Sequence, residues 1–325
     1  MGLGKGRFRT RRVTVQVHEM TVFSAVDAAF EGFRVTWEKP KTLLIWTGFF
    51  LLVDLLIALV IFGFGLTSQM AQLDAVSSGG ALDAAAELEL MRSLWPLYVL
   101  FIVAGLLVYS VIAGGVFRLV LDPENSRIHP LHLGMEEIRL IGLLLIHTLL
   151  LMIIVSAVVV IGGVYTAIMW SVIGAVGLNF LAPILGMLSA IVMIFSILYI
   201  IIRMSLGPVI SFSEKRLSIF DSWNMTKALF FPMLGSYVLA IISFLIFYIL
   251  SVIIMVCIAA ILVGGDLVAL RESIDTDFTS FRTYFSPIRV LVMVFGAFTL
   301  AVFYAVMSAP SAVIYREIRA RRAAA

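Results

Sequence analysis

The chain has 325 residues, 62% of them hydrophobic and 13% charged, with a formal net charge of +3 and a mean hydropathy of +1.11. A soluble domain is roughly half apolar and a quarter charged, so this composition excludes a soluble globular fold and requires lipid as solvent. The lone cysteine, Cys257, excludes an internal disulfide and reads as a small core residue.

Segment 1–20 is basic, with Lys5, Arg7, Arg9, Arg11 and Arg12. No apolar run follows at once, so it lacks the hydrophobic core of a cleaved signal peptide. A membrane domain is predicted over 21–316 and a basic tail over 317–325. Within the domain, six apolar runs cover about 43–66, 96–121, 140–169, 182–204, 234–263 and 288–315. Each reaches the roughly 20 residues that a helical crossing needs. Long continuous runs predict α-helices, because lipid offers no partner to an open backbone. A barrel would show short alternating strands instead. The predicted fold is therefore an all-α polytopic bundle.

Nineteen of the 23 Lys and Arg lie before the first span, in the second-to-third and fourth-to-fifth connections, and in the tail. Only Arg92, Arg271, Arg282 and Arg289 lie on the other side. Cytoplasmic loops carry the excess of Lys and Arg, so both termini are expected in the cytoplasm of a bacterial inner-membrane protein. The two long loops on the opposite side, Thr67–Leu94 and Gly264–Ser286, read as solvated helical hairpins or as docking surfaces for an envelope protein.

Three segments that lead into odd-numbered spans share a pattern. Ser24–Lys39 and Leu217–Phe231 each involve an S-x-x-D start, Ser24/Asp27 and Ser218/Asp221, which predicts an N-capped helix. Each then carries an aromatic, a base and a proline: Trp37, Lys39 and Pro40; Trp223, Lys227 and Pro232. The middle copy, His129–Arg139, is expected to open its helix at Pro130, with Leu131, Met135, Ile138 and Gly142 at helical spacing. The expectation is a threefold repeat: a cytoplasmic amphipathic helix lying in the interface, then a two-span hairpin. Even-numbered spans end in small or breaking residues, Ala113-Gly114-Gly115, Ser205-Leu206-Gly207-Pro208 and Ser308-Ala309-Pro310, which favour close helix approach.

Phe30-Glu31-Gly32-Phe33-Arg34 with Pro40 and Trp46, the run from Arg118 to Pro123, the run from Leu133 to Leu140, and Phe220 to Lys227 with Phe231-Pro232 resemble matching segments of a group of uncharacterised alphaproteobacterial six-span membrane proteins. The group is distantly similar to the membrane domain of glycerophosphodiester phosphodiesterases. The resemblance covers most of the chain and implies a six-span helical domain. It implies no substrate and no catalytic residues, and the phosphodiesterase domain itself is absent from this sequence.

The residues able to carry chemistry are few. Asp54 lies near the middle of the first span, where an acid costs about 2.5–3.5 kcal/mol on insertion scales. It reads as a proton or cation site or as a structural hydrogen-bond acceptor. His147, in the third span, reads as a neutral, bonded histidine or as a relay partner of Asp54. Arg118 and Arg203 are expected to snorkel to headgroups. With Lys215, Arg216 and Lys227 they form a candidate set for anionic lipid. His129, His132 and Glu136 have metal-ligand spacing if all lie on one helix, but no fourth ligand is evident and a solvated face is the simpler reading. There is no P-loop, H-E-x-x-H, G-x-S-x-G or C-x-x-C motif, so no cofactor and no enzyme activity is expected. Basic residues gather at membrane entries rather than on one polar face, which argues against nucleic acid. The functional expectation is a non-enzymatic protein that binds membrane lipid or an envelope partner, with a small-solute or ion transporter centred on Asp54 as the alternative. Reporter fusions at both termini are expected to respond only to cytoplasmic probes; a signal from the opposite compartment at either end overturns the orientation.

Overall fold

The computed structural model describes residues 23–77, 83–123, 130–274, 278 and 280–324. The basic segment 1–20 and His129 therefore lie outside the described residues. Among those described, every regular element is helical. In chain order they are α1 (Ala25–Glu38), α2 (Pro40–Gly63), α3 (Thr67–Ser77), α4 (Ala84–Leu121), α5 (Met135–Ala175), α6 (Ala182–Met204), α7 (Gly207–Glu214), α8 (Asp221–Met225), α9 (Phe230–Leu262), α10 (Leu267–Ile274), α11 (Phe281–Tyr284) and α12 (Pro287–Ala324). Six helices are long and apolar enough to cross a membrane. The chain is an all-α, multi-pass membrane protein.

Several helices run past the apolar runs that mark them. Pro96 lies inside α4, which begins twelve residues earlier at Ala84, and α12 continues to Ala324. Hydrophobicity marks where lipid begins and ends, whereas the intrahelical hydrogen-bond ladder extends into polar flanks at little cost. The two long loops fold back as α3 and as α10–α11. Met70 packs with Ile61, Leu90 and Leu94, and Leu270 packs with Ala259 and Ile288. Cys257 is exposed on α9 rather than buried in the core.

The centre of the bundle is α12, which packs against α1, α2, α4 and α9. Its inner face carries Ala297, Ala301, Ala305 and Ala309, each fully buried. Alanines four residues apart form one stripe of the helix and let neighbouring backbones come close. α1 uses that closeness. Ser24 caps it by accepting from the Asp27 N–H at 3.2 Å, as the S-x-x-D pattern predicts. Its buried face is Ala28, Ala29, Gly32, Val35 and Thr36, while Val26, Phe30 and Trp37 point outward. A Cβ on Gly32 would collide with the backbone of Val306 and stand 2.7 Å from the Ala305 carbonyl oxygen.

The other two entry segments do not take α1's form. The middle one does not open a helix at Pro130: residues 130–134 are irregular, and α5 begins at Met135. The Glu137 carboxylate reaches back to the Gly134 N–H at 2.8 Å, which fixes the first turn there. The third copy is split. α6 stops at Met204, α7 begins at Gly207, Lys215 takes a left-handed conformation (φ 55°), and α8 is five residues long. Ser218 does not cap a helix; its hydroxyl bonds the Asp221 carboxylate at 2.8 Å and its N–H donates to Ser211 Oγ at 2.8 Å. α5 packs against α4, α6 and α7, while the most apolar stretches of α5 and α6 hold no buried residue.

Because the obstacle at Gly32 is backbone, Gly32→Val is expected to cost about 1–3 kcal/mol and to lower the thermal midpoint in detergent. An unchanged midpoint would show that α1 is not seated on α12.

Candidate functional site

Most of the basic residues singled out in the sequence are already matched within the fold. Arg118, on α4, forms an ion pair with Glu137 of α5 and lies 5.6 Å from the centroid of the Phe212 ring. The Glu137 side chain is fully buried. Gly114 makes room for it, since a Cβ there would meet Glu137 Oε1 at 2.9 Å. Lys215 pairs with Glu136 at 3.3 Å, and Arg216 with Glu214 at 2.7 Å and Asp221 at 2.6 Å. The Ser218 hydroxyl and the Arg216 guanidinium hold the Asp221 carboxyl below the usual carboxylate range. Lys227 is exposed.

Arg203 departs most from expectation. It does not snorkel outward: it is 2% exposed. Its guanidinium donates to the Trp223 carbonyl at 2.5 Å and lies 4.5 Å from the Trp223 ring centroid and 5.7 Å from that of Tyr199. The Arg203 carbonyl in turn accepts from Ser222 Oγ at 2.6 Å and Thr226 Oγ1 at 3.3 Å. Long side chains reach for headgroups only when no nearer partner exists. Here α8 folds over the end of α6 and supplies an aromatic face and a carbonyl. A desolvated cation–π contact of this kind contributes roughly 2 kcal/mol.

The His132/Glu136 metal reading fails on geometry. His132 lies before the helix and faces Glu137 at 3.5 Å, while Glu136 turns to Lys215. Among the described residues, no group of three metal-ligating side chains gathers at one point.

Asp54 and His147 are not partners. Asp54 is half-buried on α2. His147 Nε2 stands 3.1 Å from the Ile219 carbonyl. A carbonyl oxygen only accepts, so Nε2 carries a proton. This bond ties the third span to the segment before α8.

His147 instead borders a chamber of about 360 Å³. It is open to one side and largely apolar, bordered by Leu151, Ile201, Met204 and Met307 as well as by Tyr109 of α4, Ser205 at the α6–α7 break, Tyr237 of α9, and Tyr304 and Ser311 of α12. Tyr237 shares this lining with Ser205 and Ser311, whose hydroxyls donate to the Ile202 and Ser308 carbonyls at 2.8 Å each. Tyr109 and Tyr304 pack edge to face at 5.9 Å, and Phe50 stacks on Tyr304 at 5.5 Å. Asp54 lies one helical turn beyond Phe50 and does not line the chamber. No Asp, Glu, Lys or Arg lines it.

A second cavity of about 430 Å³ runs between α9 and α12, lined by Phe244, Tyr248, Val252, Phe295, Gly296 and Thr299 among others. Phe303 lines both cavities. On α12 the lining residues 292, 296, 299, 303, 307 and 311 fall on one stripe, so both cavities border the same face of the helix. No local motif announces this site. Ser205 and Ser311 sit in or next to the small-residue runs at the ends of spans four and six, but their place in one lining depends on tertiary packing.

No protein-family model, characterised protein or solved structure matches this chain. Removing one member of a buried ion pair leaves an uncompensated charge, at about 3–5 kcal/mol. Glu137→Ala is therefore expected to lower the thermal midpoint strongly, and the double variant Arg118→Met/Glu137→Leu to recover much of the loss. Equal loss in both would show that the pair's charge is not what matters.

Proposed function

We propose that this chain is a lipid-binding protein of the bacterial inner membrane, with both termini cytoplasmic, that holds lipid rather than transforming it. The observation that carries the reading is a pair of largely apolar cavities between spans that share Phe303 in their linings, neither bordered by a charged side chain. The apolar chain of a lipid matches such surroundings. The cytoplasmic orientation rests on the distribution of Lys and Arg. An envelope protein docking on α3 or α10–α11 would extend this role.

Transport past Asp54 is the second reading. It draws on the interruption of the fourth span at Ser205–Leu206, since broken helices line substrate sites in transporters. Asp54 lies outside the chamber beside that break, which favours the lipid reading.

Gly296 borders the groove with open space where its side chain would be. In native-lipid discs analysed by mass spectrometry, the wild-type chain is expected to retain a reproducible lipid. Gly296→Phe is expected to lose at least half of that occupancy, and neutralising Lys215, Arg216 and Lys227 to leave it unchanged. Unaltered occupancy in Gly296→Phe sinks the proposed site.

A further inference from the structure

The first half of α4 carries an apolar face that the described residues leave exposed. On one side of the helix Leu90, Leu94 and Leu97 are buried in a cluster with Ile61 and Met70. On the other side Leu88, Met91, Trp95, Tyr98 and Ile102 are exposed, Leu88 at 68% and Trp95 at 61%. We infer that this face is the contact between two copies of the chain, whose α4 helices lie side by side and parallel. The contact does not depend on a bound lipid.

Spacing supplies the first argument. Steps of three and four residues separate the exposed side chains in turn, an average of 3.5, which is the period of helices that wrap around one another. Gly105 continues the series with open space where its side chain would be, so a neighbouring backbone can come close there. The stripe ends where the helix turns inward: Val108, Ser110, Val111 and Ile112 are buried.

Position supplies the second. The apolar run of this span begins at Pro96, and the turns before it carry Glu87, Glu89 and Arg92. Charge at that density puts these turns at the edge of the lipid or beyond it. Apolar residues exposed at mid-span are covered by acyl chains and need no partner. Leu88 and Met91 lie too far along the helix for that cover, and they gain from burial against protein.

Charge supplies the third and selects the occupant. Glu87 flanks the stripe on one edge and Arg92 on the other. Both are exposed, and neither forms an ion pair among the described residues. Five residues apart, they do not face each other on one helix. Across two parallel helices that meet along this stripe, they are the flanking positions that do meet. A two-fold axis makes the Glu87–Arg92 contact twice. The membrane fixes the direction, since two copies inserted in the same orientation present α4 parallel. A second copy therefore matches both edges.

The test uses the full chain carrying Cys257→Ser, in native membranes treated with a thiol oxidant. Leu88→Cys, Met91→Cys and Trp95→Cys are expected to give disulfide-linked homodimers. Glu89→Cys and Ser93→Cys, on the opposite side of the helix, are expected to give about fivefold less. In polymer discs cut from the same membranes, the dimer fraction is read by native mass spectrometry. Glu87→Lys and Arg92→Glu are each expected to weaken the dimer by about three- to tenfold, the weight of two exposed ion pairs. The double variant Glu87→Lys/Arg92→Glu is expected to recover it, because the pair re-forms with its signs exchanged. Even cross-linking around the helix, or none, overturns the contact face. Cross-links from Met91→Cys to a different protein overturn the second copy as occupant. A double variant no better than the single ones overturns the parallel pairing.

Discussion

A row of alanines on α12 sets how near every other helix can come. Ala297, Ala301, Ala305 and Ala309 leave the inner face of the helix without bulk, so α1, α2, α4 and α9 approach it closely. In lipid, no hydrophobic gain drives helices together, and packing contact must serve instead. The same helix bears its larger side chains, Phe295, Phe303 and Met307, on a different face. There the helices stand apart and the groove and chamber open. One helix thus builds both the tight seam and the cavity, by segregating small and large residues around its circumference.

The end of the bundle that carries α7 and α8 is then locked by polar contacts that neutralise one another. The Arg118–Glu137 pair joins α4 to α5, and the Arg203–Trp223 stack folds α8 onto α6. The tail joins in, with Arg316 donating to the Val120 carbonyl at 3.0 Å and the Tyr315 hydroxyl to Glu214 at 3.3 Å. Buried charges in this region exist in matched or stacked form, as their desolvation demands.

The structural assignments explain why the sequence patterns had unequal value. The Ser24 cap was readable because capping is a local event, complete within four residues. The same pattern at Ser218 failed because Ser211, seven residues earlier, and Asp221 claim its polar groups. Pro130 could open a helix, yet the first turn starts at Met135, where Glu137 is anchored by an arginine on another helix. His132 and Glu136 share a face only on a helix that does not extend to His132. Asp54 and His147 are both titratable within spans, but His147 is engaged by the Ile219 carbonyl, a partner that its own stretch of sequence does not reveal.

By itself the sequence determined the solvent, the six crossings, the helical class and the skew of basic charge. These depend on composition and on runs of residues contiguous in the chain, where each backbone group finds its partner within its own helix. Span four, Ala182–Met204, even ended where the apolar run did. Only tertiary structure decided which helix is central, which arginines are paired, and that Tyr109, Ser205, Tyr237, Tyr304 and Ser311 share one chamber. Those residues come from several helices. Their meeting depends on interhelical distance, which side-chain volume on α12 sets and no local stretch of sequence encodes.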